Sequence, residues 1–358
     1  MVETKKHVKF LQRHLLLLPP KAQSQDPNKL GIVYYAIAGL ALLDESALSA
    51  YTKNKDWIYK HYKEFDPPSN SKRIAGFIGS QLLSLDGQVT INLSNTLFAL
   101  IILNIIDDCD GRSKNINYEH IRNFVSQCQV PNGQFVSSLD SFTGLPSRVD
   151  STDLRYCYIA VAILYFTGCR TRANFDKHIH VESLLAFVKS QECMNGGYGE
   201  YLEAHAGYTS CALSLLKLLG CEAELTESFR WHTITWLLDR QVSNTGCMSL
   251  QEDNQNYEQD DHGGFQGREN KFADTCYVFW CLNSLKILSP DNWKSLCEIN
   301  IAKEFLMDKT QDKLLGGFSK TDVDDPDIYH TYLGLASLGL LDGSLNGELC
   351  IPTKYQPR

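Results

Sequence analysis

The sequence lacks the features of a nucleic-acid-binding or disordered protein. Its 34 Lys and Arg residues face 42 Asp and Glu residues, so the net charge is −8 and no basic excess exists to neutralise phosphates. Gly and Pro together account for about a tenth of the chain, below the share typical of low-complexity proteins. Because 43% of the 358 residues are hydrophobic, we expect a globular protein with a sizeable core.

Long apolar runs and closely spaced cysteine pairs are also missing. The best apolar candidate, 97–106, contains Asn104 and is shorter than the ~18 residues of a membrane span. Four leucines at 15–18 are too few for the core of a signal peptide. The twelve cysteines form no Cys-x-x-Cys pair, which is typical of reduced thiols rather than of a disulfide framework. We expect a cytoplasmic protein without a membrane span.

Apolar residues at helical spacing fill most of the chain, and a glycine turn before an aromatic residue recurs between them. Each turn follows a glutamine: Gln127 to Gly133, Gln191 to Gly197, Gln311 to Gly317, and Gln241 to Gly264 across an acidic insert at 243–262. A repeat of roughly sixty residues holding two helices buries its apolar face only by stacking on neighbours. The pattern predicts an all-α array forming a single domain over residues 1–358. The alternative is an open helical scaffold without catalytic activity.

Three dispersed side chains suggest a metal site. Asp274 and Cys276 are two residues apart and can converge if they lie at the start of a helix, and His330 lies at a comparable start. A carboxylate, a thiolate and an imidazole form a three-ligand zinc set that leaves a fourth position open, as catalytic sites do. The alternative is structural: Asp274 and Asp327 would be helix N-caps, Cys276 a small buried residue and His330 a satisfied polar group.

Cations precede the same predicted helix. Arg268 and Lys271 follow Gly267, and two fixed cations near a helix N-terminus suit a phosphate or a diphosphate. His205, Tyr208 and Tyr277 are further candidate polar donors. The alternative is a solvated surface turn.

Three stretches resemble the β subunits of protein prenyltransferases of the Cys-a-a-X type. They are Gly263–Trp280, which contains Gly-Gly-Phe-Gln-Gly-Arg and Asp-Thr-Cys-Tyr-x-Phe-Trp, Glu203–Thr209, and Asp327–His330. The similarity stays in register from about Lys29 to Leu341. It implies an α/α barrel around an apolar cavity and strongly favours the zinc interpretation.

The resemblance implies a role for each matching position. Asp274, Cys276 and His330 would bind one Zn²⁺. Beside what the resemblance implies, we expect Asp327 to orient His330, as a carboxylate orients a metal-binding histidine. The isoprenoid diphosphate would be bound by His205, Arg268, Lys271, Tyr277 and Lys320. The isoprenoid chain would be lined by Gly31, Tyr35, Tyr158, Tyr208 and Trp280. Arg155 would lie near the C-terminus of the peptide substrate. Ala206 departs from the family's second position in His-Gly-Gly and would crowd the diphosphate slightly.

Three positions bear on the length of the prenyl group. Gly31 stands where farnesyltransferases have a bulky Trp, and five additional buried carbons contribute up to roughly 4 kcal/mol to binding. The alternative is that Gly31 only permits close helix packing. Lys320 stands where farnesyltransferases have a magnesium-binding Asp, so Mg²⁺ would not be required. Tyr329 favours the farnesyl enzymes instead, because the type I geranylgeranyl enzymes have an aliphatic residue there.

The expected activity is zinc-dependent geranylgeranyl transfer to the cysteine of a C-terminal Cys-a-a-X motif. The resemblance implies an α-subunit partner, geranylgeranyl diphosphate, and protein substrates such as Rho-type small GTPases with X often Leu. The alternatives are a farnesyltransferase β subunit and a non-enzymatic scaffold. A terpene cyclase, suggested by Asp322-Val323-Asp324-Asp325, is less favoured because that tetrad sits in a polar stretch. Asp107–Asp110 lacks the spacing of a diphosphate–magnesium motif and is expected to be a helix-end turn.

Overall fold

The computed structural model describes residues 2–16, 18, 20–67, 72–84, 87–106, 115–243 and 259–357. Within these ranges the α-helices are α1 (Thr4–Leu16), α2 (Lys29–Leu43), α3 (Lys55–Tyr59), α4 (Leu93–Ile106), α5 (Tyr118–Gln127), α6 (Leu154–Phe166), α7 (Arg172–Phe175), α8 (Val181–Ser190), α9 (Ala206–Leu219), α10 (Glu227–Leu238), α11 (Thr275–Leu288), α12 (Trp293–Leu296), α13 (Ile299–Glu304) and α14 (Ile328–Asp342). A π-helical turn, Phe305–Thr310, continues α13.

The strands are short and form two-stranded antiparallel hairpins. They are β1 (Tyr62–Phe65) with β2 (Ile74–Phe77), β3 (Gly199–Glu200) with β4 (Glu203–Ala204), and β5 (Leu345–Asn346) with β6 (Ile351–Pro352). The described part of the chain is therefore helical apart from these hairpins and the connecting turns. None of the helices described is both long and apolar enough to cross a membrane.

The described residues divide into two compact units. The N-terminal unit comprises residues 13–190, 218–220 and 355–358, and the C-terminal unit comprises 1–12, 191–217 and 221–354. In the N-terminal unit α4 packs against α2 and α6, and it is apolar on nearly every side, as a helix between two others must be. In the C-terminal unit α11 packs against α14 and α10. The single domain over 1–358 stays a prediction. Asp107–Asp110 and residues 244–258 of the insert lie outside the described residues.

The recurring turn is present, but the glutamines predicted for its first two copies do not form its bridge. Gln129, not Gln127, bridges Phe135, and Glu192, not Gln191, bridges Tyr198. In the other two copies Gln241 bridges Phe265 and Gln311 bridges Phe318, as predicted. The amide of each bridging glutamine also bonds to the backbone of a neighbouring segment, at His180, Glu298 and Glu3 respectively. Spacing alone selected Gln127 because it also lies six residues before Gly133.

The turn glycines are required by close backbone contact. Gly133, Gly196, Gly263 and Gly316 have φ angles of 93°, 96°, 91° and 78°, a region that other residues rarely adopt. A Cβ on any of them would lie 2.1–2.4 Å from a backbone atom of α8, α10, α13 or α1 respectively. Gly196, Gly263 and Gly316 are thus the equivalents of Gly133, each one residue before the glycine predicted from the sequence, namely Gly197, Gly264 and Gly317.

The last copy of the turn is held by the first helix of the chain. His7 of α1 is fully buried, and its Nδ1 accepts the Gly317 N–H at 2.8 Å. Its Nε2 lies 3.0 Å from Gln311 Oε1 and therefore donates to it. The ring stacks on Phe318 with centroids 5.0 Å apart. Burial lowers the pKa of His7 below its ordinary value, although its bond to Gln311 opposes the shift.

We expect His7 to make the folded chain sensitive to mild acid. Because the folded state keeps His7 neutral, this stabilisation is complete above the ordinary histidine pKa of about 6.5 and is lost as pH falls through that value towards the lower folded pKa. The loss is at most about 1.4 kcal/mol per pH unit. Urea unfolding at pH 8 and pH 5.5 would show that the free energy of unfolding falls more for the wild type than for His7→Asn. The amide oxygen of the asparagine can accept the same N–H but does not titrate. Equal falls would contradict this expectation.

Candidate metal centre and anion cluster

The predicted metal ligands lie at the first turns of two packed helices in the C-terminal unit. Asp274 is the N-cap of α11, with extended backbone angles (φ −148°, ψ 138°), and it accepts the Cys276 N–H at 2.7 Å. Asp327 is the N-cap of α14 and accepts the His330 N–H at 2.9 Å. Since α11 packs against α14, the two first turns lie side by side.

Asp274, Cys276 and His330 converge at these turns. One carboxylate oxygen, the Sγ and one imidazole nitrogen all lie within 4.8 Å of one another. His330 Nε2 is 3.3 Å from Asp274 Oδ1. The N-cap alternative is also correct, since both aspartates cap their helices. The extended geometry of the cap is what turns the Asp274 side chain towards that of Cys276.

The three groups form a charged, mostly buried cluster. Burial works against the charges of Asp274 and His330, but their contact with each other and the hydrogen bonds of Cys276 with Asp274 and of His330 with Asp327 outweigh it. The pKa of Asp274 therefore lies below its ordinary value, and that of His330 is raised to about 9. Burial and the Asp274 charge raise the pKa of the Cys276 thiol well above its usual range. A divalent cation bound here would replace the protons of His330 and Cys276 and compensate the carboxylate charge. The donor set of one S, one N and one O suits zinc.

Two further aspartates support the cluster. Asp327 Oδ2 lies 2.5 Å from His330 Nδ1, so it holds the ring with Nε2 directed towards Asp274. This is the arrangement in which a carboxylate orients a metal-binding histidine. Asp261, at the end of the acidic insert, accepts the Ala273 N–H at 3.0 Å and fixes the residue before Asp274. The sequence predicted the role of Asp327 but gave none to Asp261.

Polar groups predicted to bind a diphosphate lie in the same unit. His205 Nδ1 accepts the Gly207 N–H at 3.0 Å, so a neutral His205 carries its proton on Nε2. Nε2 is 3.2 Å from Tyr277 Oη and donates to it, which leaves the Tyr277 O–H able to donate to another acceptor. The Tyr208 ring lies 5.2 Å from that of His205. Burial raises the pKa of Tyr277, so its phenol keeps its proton.

Gly267 brings the cationic turn against Tyr277. A Cβ at Gly267 would lie 2.1 Å from Tyr277 Cζ, so a larger residue would displace the ring. The Gly267 carbonyl accepts the Ala206 N–H at 2.8 Å, which ties the turn to the start of α9. Arg268 Nη1 lies 2.8 Å from Glu203 Oε2. Lys271 is exposed, three residues before Asp274.

Lys320 lies beside the first residue of α11, the helix that carries Cys276 and is called the metal-centre helix below. The acidic tetrad at 322–325 is exposed and lies outside the metal site. The Lys320 carbonyl accepts the Thr275 N–H at 3.0 Å, and its side chain is exposed. The residues of 322–325 are also exposed, and Asp324 bonds to Thr321. The loop expected for this tetrad is confirmed. Trp280, predicted to line the isoprenoid chain, lies on α11 one turn after Cys276 and is partly buried.

The other predicted chain-lining residues belong to the N-terminal unit. Gly31 and Tyr35 lie on α2. A Cβ at Gly31 would lie 3.1 Å from Phe98 Cε2 on α4, and the rings of Tyr34 and Tyr35 contact Phe98 at 5.2 Å and 6.0 Å. The space beside Gly31 is therefore bounded by Phe98, as close helix packing requires. No sequence motif marks Phe98.

Arg155 and Tyr158 lie on α6 of the same unit. The Arg155 guanidinium contacts the Asp153 carboxylate twice, with Nε–Oδ1 at 3.0 Å and Nη2–Oδ2 at 2.6 Å. Asp153 is almost completely buried and caps α6, as Asp274 and Asp327 cap their helices. Asp153 was not predicted from the sequence, although it stands directly before α6 as those two aspartates stand before α11 and α14.

Comparison with known proteins places this geometry in a family. A model of the prenyltransferase alpha-alpha toroid domain matches residues 2–353. The type-1 geranylgeranyl transferase β subunit of Arabidopsis thaliana is 29% identical, over 97% of this chain and 87% of that protein. The structure of Candida albicans protein geranylgeranyltransferase-I complexed with GGPP is 34% identical with a TM-score of 0.84, over 99% of this chain and 97% of that chain.

A more distant solved structure shares the fold alone. The type II terpene cyclase MstE from Scytonema matches with a TM-score of 0.55 at 15% identity, over 95% of this chain and 97% of that chain. The predicted α/α barrel is confirmed by the matching domain model and by the Candida structure. The repeated helix pairs, the glycine turns and the match over nearly the whole length lead to one conclusion: the chain belongs to the prenyltransferase alpha-alpha toroid family.

Proposed function

We propose that this chain is the catalytic β subunit of a type I protein geranylgeranyltransferase. It would transfer a geranylgeranyl group to the cysteine of a C-terminal Cys-a-a-X motif, with an α subunit as its partner. The observation that carries the proposal is the convergence of Asp274, Cys276 and His330 in one unit with the His205–Tyr277 pair and Arg268. The type-1 relatives support the geranylgeranyl assignment.

Zinc is the metal we propose for the three-ligand cluster. Asp274, Cys276 and His330 would hold it, and its open position would bind the substrate cysteine and keep that thiol deprotonated at neutral pH. Asp327 would keep His330 in the tautomer that presents Nε2. No side chain is then needed as a general base for the substrate thiol.

The leaving diphosphate would be stabilised by donors already in place. The substrate thiolate forms a C–S bond at C1 of the isoprenoid while the C1–O bond breaks, and the bonding electrons go to the diphosphate. This negative charge would be stabilised by the Tyr277 O–H, which His205 orients, and by the cations of Arg268, Lys271 and Lys320. Preorganised donors of this kind usually make the largest contribution to such catalysis.

A farnesyltransferase β subunit is the second candidate. Tyr329 supports it, because this ring lies beside His330 with centroids 5.0 Å apart, where the geranylgeranyl family pattern has an aliphatic residue. Gly31 and Lys320 support the geranylgeranyl enzyme. Four further points stay predictions. They are the role of Gly31 in setting the length of the prenyl chain, a requirement for zinc but not for Mg²⁺, Rho-type protein substrates, and a cytoplasmic location.

Competition between two labelled diphosphates tests the proposal. The complex of this chain with its α subunit would receive equal geranylgeranyl and farnesyl diphosphate and a peptide ending in Cys-a-a-Leu. We expect the geranylgeranyl thioether to predominate at least tenfold, since a difference of 1.4 kcal/mol in binding is enough for this ratio. A farnesyl excess would support the second candidate. Absence of any thioether would reject a role in prenyl transfer, and a cyclised product that keeps its diphosphate would favour a cyclase.

A further inference from the structure

The β3–β4 hairpin holds the carboxylate of Glu203 against Arg268, one of the cations proposed to bind the diphosphate. Glu203 lies on β4, two residues before His205, and its Oε2 contacts Arg268 Nη1 at 2.8 Å. Both side chains are partly open to solvent, at 61% and 38% exposure. The carboxylate therefore occupies a position on Arg268 that an oxygen of a bound diphosphate could also take.

The hairpin keeps Glu203 there through a strained turn. Tyr201 and Leu202, the two residues between β3 and β4, have φ angles of 52° and 67°. Side chains other than Gly, Asn and Asp rarely adopt this region, and strain of this kind is often found at functional sites. Gly199 permits the tight pairing, because a Cβ there would lie 1.6 Å from the Glu203 carbonyl oxygen.

A carboxylate beside Arg268 should weaken the binding of an anion there. A bound diphosphate carries several negative charges, and Glu203 would repel them while it neutralises Arg268. Glu203 also faces Glu200 across the hairpin, and like charges directly opposite each other destabilise a strand pair. Arg268 is the cation that the structure places beside Glu203.

We propose that Glu203 is a positioning residue that competes with the diphosphate for Arg268. When the site is free of diphosphate, the ion pair with Glu203 holds the Arg268 side chain in place. When the diphosphate binds, Arg268 exchanges the carboxylate for a phosphate oxygen, and the reverse exchange helps pyrophosphate to leave. The inference rests on the proposed function, because it assumes that an isoprenoid diphosphate is the ligand.

Binding of inorganic pyrophosphate and of geranylgeranyl diphosphate to the complex with the α subunit tests this inference. Glu203→Gln keeps the shape of the side chain and removes the competing charge, so we expect Kd for both probes to fall about threefold to fivefold, the range of an exposed ion pair. The gain should shrink at high salt. Glu222→Gln is the matched control, because it removes the same charge and breaks the exposed Lys217–Glu222 pair. It should leave both Kd values unchanged.

A double-mutant cycle separates competition for Arg268 from a general charge effect. In an Arg268→Gln background, Glu203→Gln should change Kd less than twofold, since the competed cation is gone. Unchanged or weaker pyrophosphate binding by Glu203→Gln would overturn the inference, as would an equal gain in both backgrounds. If the wild-type complex binds neither probe, the proposed function itself fails. Normal wild-type binding without a gain in the variant rejects only the role of Glu203.

Discussion

Replacement of Cys276 with alanine is expected to remove both the bound metal and prenyl transfer. Cys276 supplies the thiolate of a three-ligand set, and its Sγ lies within 4.8 Å of the ligand atoms of Asp274 and His330. Loss of an outer partner of a metal ligand alone weakens metal binding by about 10-fold to 100-fold, so loss of a ligand should exceed that range. Zinc content of the purified complex and single-turnover rates with geranylgeranyl diphosphate would measure the two effects.

Cys281 provides the matched control for this substitution. It is a second fully buried cysteine on α11, and it lies outside the three-ligand cluster. Cys281→Ala should keep zinc and activity and lower the free energy of unfolding by about 1 kcal/mol for the lost sulfur. A Cys276→Ala complex with the wild-type zinc content and rate would refute the metal assignment. Equal losses in both variants would show that folding, not ligation, is affected.

Replacement of Lys320 with aspartate is expected to make turnover depend on magnesium. The backbone of Lys320 is bonded to Thr275, which places this residue at the start of the metal-centre helix. Removing one preorganised group that stabilises developing negative charge typically costs 10²-fold to 10³-fold in rate, and the reversed charge should cost at least as much. A carboxylate together with diphosphate oxygens forms a site that Mg²⁺ prefers. Millimolar Mg²⁺ should therefore restore much of the activity.

Two variants sharpen this measurement. Lys320→Ala should lose activity in the same way but respond little to Mg²⁺, because it offers no ligand. Lys313→Asp reverses an exposed charge in the turn before Lys320, where Lys313 contacts Asp308 at 3.0 Å, and it should leave the rate nearly unchanged. An unchanged rate for Lys320→Asp without magnesium, or no response to the ion, would contradict the proposed role of Lys320.

The sequence predicted the helical repeat because apolar spacing and glycine turns are local signals. It missed the register of the first two turns, where Gln129 and Glu192, rather than Gln127 and Gln191, form the bridges to Phe135 and Tyr198. The contact of His7 with Gly317 joins residues 310 positions apart, and no local pattern could predict it.

The candidate site was predictable where a chemical motif marks it. Asp274, Cys276 and His330 were found because their residue types suit one metal, and helix starts let neighbouring side chains converge. Asp261, Phe98 and the contact between Glu203 and Arg268 were missed for a physical reason. Each acts through a contact distant in sequence, and an isolated acid or aromatic residue carries no signal of its partner.

Zinc K-edge X-ray absorption on the purified complex tests the central claim most directly. The account predicts one zinc per chain, with one sulfur ligand from Cys276 in the free complex and a second sulfur when a peptide ending in Cys-a-a-Leu is bound. A complex without stoichiometric zinc, or a sulfur count that does not change when the peptide binds, would contradict it.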